Sequence, residues 1–330
     1  MERTHAFIAG AAGLLLLAVA RPAHVQTIAE QVARAPDGVV RISFPSRPGV
    51  CGYGDGIAIR DPEGGEARQF IRWSGRGNDP DWEDRCEPGP VRVELRVSGG
   101  RVTSLHTTVG SGGGPVQRDL GMVPAAAAVD FLLDLAARFP GEEGDDAILP
   151  AALAAGVTIH PRLLRLAADR EVPLRIRKRA VFWASQTGAP FGELTRLYAR
   201  VPETEVREQV LFAYSQHDAP EAARELLRVA RGDDPEKLRK TAVFWLGQIA
   251  GRAVTRDLGD LVEDQGTDLE VREHAVFALS QRPRGEAVPA LIRIARENPS
   301  PRLRKRALFW LGQSGDPRAL ALFEELLARP

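Results

Sequence analysis

The chain has 330 residues, 44% of them hydrophobic and 27% charged, which makes it too apolar to be largely disordered and too long for one small core. Its 44 basic residues are matched by 44 acidic ones, so it lacks the basic body that binding to nucleic acid or an anionic membrane surface usually needs. The balance also holds by parts, since residues 27–122 carry 12 arginines against 13 acids and residues 123–330 carry 30 of each sign.

Residues 1–26 read as a secretory signal: Arg3 in a short polar start, an apolar run from Ala6 to Ala20, then Arg21, Pro22 and a polar stretch. Cleavage after Ala20, Ala23 or Gln26 fits the pattern equally. The competing reading, an uncleaved anchor, meets a run of only 15 residues where a spanning helix needs about 20. No cysteine follows the run to carry a lipid. The expected location is therefore periplasmic or secreted, with no stable membrane insertion after cleavage. The two cysteines of the chain, Cys51 and Cys86, then read as one disulfide.

From Gly38 to Val109 the pattern alternates at period two, in the runs 39–44, 56–60, 69–73, 91–97 and 101–109. Four or five short strands are expected, the last two joined by a turn at Ser98-Gly99-Gly100. Cys51-Gly52-Tyr53-Gly54-Asp55-Gly56 has neither the following helix nor the Lys-Ser or Lys-Thr pair of a phosphate loop, so a tight turn beside the disulfide is expected. Asp79, Asp81, Glu83 and Asp84 crowd one loop, but without the Gly and terminal Glu of a calcium loop they read as a solvated acidic stretch. Residues 27–110 thus form a small β-rich module, and the glycine-rich residues 111–122 read as a linker.

Helices follow from residue 123 to 330, beginning with the amphipathic stretch 125–139 and continuing through 146–156 and 161–170. Five segments then align without gaps: IRKRAVFWASQ (176–186), VREQVLFAYSQ (206–216), LRKTAVFWLGQ (238–248), VREHAVFALSQ (271–281) and LRKRALFWLGQ (303–313). Positions one, five, eight and nine of each are apolar and share a helical face. A stripe of that kind is covered by stacking, which tandem copies supply. Partner helices are read at 219–231, 286–297 and 317–329, with Ser300-Pro301 and Asp316-Pro317 as start signals. The third position runs Lys178, Glu208, Lys240, Glu273, Lys305 and the eighth Trp183, Ala213, Trp245, Ala278, Trp310. This alternation predicts interlocking of neighbouring motif helices and a ladder of opposite charges between them.

The segments resemble HEAT repeats, in particular bacterial HEAT-like units with a V-R-x-x-A-x-x-A-L-G-Q core that are also seen in lyase-type helical repeat proteins. The resemblance implies an α-solenoid of HEAT-like helix pairs over 123–330, a mainly α fold with the β-rich module in front. For function it implies a scaffold or protein-binding surface, since fold alone does not set activity. It also implies that the second helices line the concave face, where Arg224 and Arg228, and Arg293 and Arg296, lie on one side of their helices. These four arginines are the candidate contacts for an acidic peptide or partner domain; the competing reading is a solvated face balanced by nearby Glu.

No catalytic constellation is read. The six histidines are scattered, and where some HEAT-repeat enzymes hold iron through paired His-Glu dipeptides, this chain has only the reversed Glu273-His274. Ser104 with His106, and Ser215 with His217, lack a nucleophile-elbow context. The tryptophans at position eight read as core. The expectation is a non-catalytic, cofactor-free scaffold or adaptor of the cell envelope that binds a protein or peptide partner. The alternative is an envelope enzyme or metal-binding protein with its site in the front module.

Overall fold

The computed structural model describes residues 26–59, 69–72, 85–139, 142–232 and 235–328. The expected signal segment up to residue 25 and the acidic loop at Asp79, Asp81, Glu83 and Asp84 lie outside the described residues. None of the described helices is long and apolar enough to cross a membrane.

A short helix, α1 (Ile28–Ala33), opens the fold on a capping box: the Glu30 N–H donates to the Thr27 hydroxyl and the Thr27 N–H to the Glu30 carboxylate. Among the described residues eight strands follow: β1 (Gly38–Phe44), β2 (Val50–Tyr53), β3 (Gly56–Ile59), β4 (Gln69–Arg72), β5 (Glu87–Pro88), β6 (Val91–Ser98), β7 (Arg101–Val109) and β8 (Arg118–Met122). They form two four-stranded sheets, ordered β7-β6-β1-β8 and β4-β3-β2-β5. Strand β6 shows why: Val91, Val93, Leu95 and Val97 are buried while the residues between them face outward. Gly99 and Gly100, both at positive φ, make the two-residue turn between β6 and β7 that the sequence predicts. Cys51 on β2 and Cys86 beside β5 are joined in a disulfide.

Two expectations are corrected. Cys51-Gly52-Tyr53 is strand β2, antiparallel to β3, and only the Gly54-Asp55 stretch turns; four residues without alternation gave no periodic signal. The expected linker 111–122 ends in β8, which pairs parallel with β1 as an edge strand. Pairing of this kind runs through the backbone and needs no patterned side chains, so a stretch such as Arg-Asp-Leu-Gly-Met hides it. The module is consequently not set apart from the helices. The Val123 N–H donates to the Ser43 carbonyl, Arg47 N–H to Leu153, and Ala155 N–H to Pro45, and one continuous apolar cluster joins module and helices from Ile28 through to Leu322, with a small second cluster at Cys51, Ala58 and Cys86.

The helical part comprises α2 (Ala125–Arg138), a 3-10 turn (Glu142–Ala147), α3 (Ile148–Ala152), α4 (His160–Ala168), α5 (Leu174–Gln186), α6 (Phe191–Arg200), α7 (Thr204–Ser215), α8 (Glu221–Gly232), α9 (Glu236–Gln248), α10 (Arg252–Glu263), α11 (Leu269–Ser280), α12 (Arg284–Glu297), α13 (Pro301–Ser314) and α14 (Pro317–Ala328). The five aligned segments are α5, α7, α9, α11 and α13, and each lies against the next. They form one layer, and the helices between them form the other. Positions one, five and nine of the segments are buried throughout, from Ile176, Ala180 and Ala184 to Leu303, Ala307 and Leu311. Position eight departs from the expectation. Trp183, Ala213 and Ala278 are buried, but Trp245 and Trp310 are only half-buried, and position six takes their place in the core at Val181, Leu211, Val243 and Val276.

Position two is arginine in all five segments, and it fixes the rungs to one another. Arg177 and Arg272, both buried, donate Nε to the carbonyls of Ala167 and Val262 at 2.9 and 2.8 Å. Arg207 does the same to Val201 at 2.8 Å, and Arg304 donates Nη1 to Asn298 at 2.8 Å. Each acceptor is at or just beyond the end of the preceding helix, where carbonyls lack intrahelical partners. The motif arginine therefore caps its neighbour and sets the crossing of the pair.

Candidate partner-binding surface

Adjacent motif helices touch along much more of their length than adjacent second helices do. In a curved stack the layer with the closer spacing is the inner one, so the motif helices, and not the second helices, line the concave side. This overturns the placement that the resemblance implies. On that side stands position seven, phenylalanine in every segment and turned away from the buried face.

There the rings of successive rungs meet. Phe182 stacks on Phe212 with centroids 6.0 Å apart and planes 14° from parallel. The Phe212 ring then meets Trp245 edge-on at 5.0 Å, and Trp245 meets Phe244 at 4.9 Å. A separate group joins Phe277 to Trp310 at 5.2 Å and Trp310 to Phe309 at 5.0 Å. Phe244 and Phe309 are 41% and 53% exposed. A cleft of about 360 Å³ opens over the first group, with Phe182, Phe212 and Trp245 in its lining and Lys178, Glu205 and Glu208 around them. A second cleft, about 290 Å³, shares Lys178, Phe182 and Gln209 with it and runs to Arg175, Arg179 and the buried Asp145. Arg175 approaches Asp145 at 2.8 Å. Lys178 has no ion-pair or hydrogen-bond partner among the described residues. The arrangement offers aromatic area beside an ammonium without a partner among the described residues, which suits an apolar side chain carried on a peptide.

The charge ladder exists with different members. Glu208 pairs with Lys237 at 2.9 Å, and Glu273 takes Arg302 in two bonds at 2.6 and 2.8 Å. Lys240 turns instead to Glu236 of its own helix. The cation therefore comes from the residue before the next segment, one turn earlier than the alternation at position three suggests.

The four arginines assigned to partner binding are exposed, and each lies against a glutamate: Arg224 on Glu221 at 3.1 Å, Arg228 on Glu225 at 2.8 Å, Arg293 on Glu263 at 3.0 Å, and Arg296 on Glu325. They stand on α8 and α12, in the outer layer. Of the histidines, His106 lies 3.1 Å from Asp55, His160 lies 3.9 Å from Glu193, and His217 Nδ1 accepts from the Ala219 N–H at 3.0 Å. Among the described residues no group of three or more His, Cys, Asp or Glu could hold a metal ion.

With this geometry in place, the helical part is defined as an α-solenoid of HEAT-like helix pairs carrying a small strand-rich module at its front. HEAT repeats match residues 264–330, which hold the last two helix pairs. Human deoxyhypusine hydroxylase, solved in complex with glycerol, is similar over 62% of this chain and 91% of its own, at 16% identity and a TM-score of 0.28, a likeness that carries no argument about activity. No curated protein matches the chain.

Proposed function

We propose that the chain is a non-catalytic scaffold or adaptor of the cell envelope whose solenoid binds a protein partner on its motif-helix face, the strand-rich module supplying a second contact. The observation that carries this reading is the continuous row Phe182–Phe212–Trp245–Phe244, with exposed area on the inner layer. Aromatic side chains give large contact area for little lost rotamer freedom, and such anchors dominate binding at protein interfaces. The envelope setting is supported by the apolar run 6–20 and by the Cys51–Cys86 disulfide, a bond that persists in oxidising compartments.

The test uses the mature chain and its Phe182→Ala/Phe212→Ala variant on an envelope extract, followed by titration with the purified partner. Retention of one partner, with affinity reduced at least about tenfold in the variant, is the expected result. A charge-reversal variant at Arg224, Arg228, Arg293 and Arg296 separates the two faces. If that variant loses the partner while the aromatic variant keeps it, the outer layer is the binding face and the present reading is wrong.

A further inference from the structure

The alternation along the array makes two kinds of rung, and the passage from a lysine-type rung to the next has a repeated chemistry. At α5 to α7 the position-two Arg177 donates to Glu203 at 2.9 Å. At α9 to α11 the equivalent Arg239 pairs with Asp268. Each acid sits three residues before the next segment, and ten residues after each acid stands a buried alanine, Ala213 or Ala278. In the second passage the alanine fits a notch made by glycine: a Cβ on Gly247 would lie 3.0 Å from that of Ala278.

The third lysine-type rung, α13, presents the same half of this junction with nothing against it among the described residues. Arg304 stands where Arg177 and Arg239 stand, but bonds only the carbonyls of Asn298 and Pro299 and has no acidic partner among the described residues. Gly312, the counterpart of Gly247, is exposed, and a Cβ there would find only the edge of Phe323 at 4.0 Å. Leu308 is half-exposed where Val181 and Val243 are buried. Beside it, α14 leaves Leu320 and Leu327 exposed.

From this internal template we infer that the row Arg304–Leu308–Gly312 docks an amphipathic helix of a partner protein that carries Asp or Glu at its start and alanine ten residues later. The carboxylate would take Arg304, and the alanine would enter the Gly312 notch. Charge argues against face-to-face pairing of two copies through this row, because Lys305 and Arg306 flank it without acidic partners among the described residues, and two such faces repel. The row lies on a different part of the array from the Phe182–Phe244 face, so the two readings stand or fall separately.

The probe is a labelled peptide with the sequence of residues 267–281, held helical by a lactam between Glu270 and a lysine replacing His274, both outward positions. Fluorescence anisotropy with the full chain should show saturable binding. Gly312→Leu should weaken it at least about tenfold, and Asp268→Lys in the peptide should weaken it severalfold. The Gly312→Leu chain should melt no lower than wild type, since an exposed helical glycine is being replaced by a better helix former. Absence of binding, or equal binding by the Gly312→Leu chain or by the Asp268→Lys peptide, overturns the inference. So does sedimentation showing wild-type self-association that Gly312→Leu abolishes, which would make the occupant a second copy.

Discussion

Replacing Arg177 by alanine tests the arginine staple where it is most buried. The side chain is 4% exposed and holds two acceptors, the Ala167 carbonyl and the Glu203 carboxylate, each at 2.9 Å. A hydrogen bond involving a charged group contributes about 1.5–3 kcal/mol. The Glu203 side chain is 29% exposed, so water recovers part of that bond and the lower end of the range applies to it. The expected loss is about 3 kcal/mol in all. Arg304→Ala, at a half-exposed site with carbonyl acceptors, should cost about 1 kcal/mol. In urea titrations followed by circular dichroism, the first change should move the midpoint by about 1 M, given a slope of roughly 3 kcal/mol per M for a chain of this size. The Arg177 guanidinium also holds the Glu203 carboxyl below the usual carboxylate range, chiefly through its hydrogen bond. A depressed carboxyl stabilises the fold above its ordinary titration range, and that stability is lost as pH falls through its folded value. The gap between wild type and Arg177→Ala should therefore narrow on acidification. Equal midpoint shifts for Arg177→Ala and Arg304→Ala, or a gap unchanged by pH, would refute the reasoning.

Three further outcomes are expected. Gly247→Val should destabilise the array by about 1–3 kcal/mol, because its Cβ would press on Ala278 at 3.0 Å; an unchanged melting temperature would mean that the two helices are free to separate. Replacing Cys51 and Cys86 by alanine opens a closure of 35 residues and should remove about 3–4 kcal/mol, visible as earlier exchange of the β2–β3 amides. Exchange matching wild type would count against the bond as a brace of that sheet. The Asp316 carboxyl, hydrogen-bonded by the Arg318 side chain and backbone, titrates at about 2. In an NMR titration Arg318→Gln should return it toward about 3.9, and a value still near the wild-type one would assign the shift to the helix end instead.

The repeated segments made the solenoid legible, because a stripe buried every three to four residues leaves a period that survives divergence. Start signals such as Ser300-Pro301 were equally plain, and the Ser300 hydroxyl does accept from the Leu303 N–H. Features carried by the backbone were not legible: β2 and β8 have too few side chains on either face to mark them. The arginine at position two recurs in all five segments, yet a charged residue off the apolar stripe is ordinarily solvated and so signals no contact. Only coordinates show that its guanidinium ends on a neighbour's carbonyl. The phenylalanine at position seven is likewise silent when read by itself. Its exposure depends on which layer curves inward, a property of the whole stack that no single repeat encodes.

The parallel pairing of β1 with β8 has a mechanical consequence. One strand enters from the amino-terminal side and the other leads, through Val123 and Pro124, straight into the first long helix. Tension between the front of the chain and the helical array would slide these strands past each other, loading their crossing bonds together instead of peeling them one at a time. A pull on the array thus works against a clamp and not against a tether, and force applied at one end reaches the other with little slack.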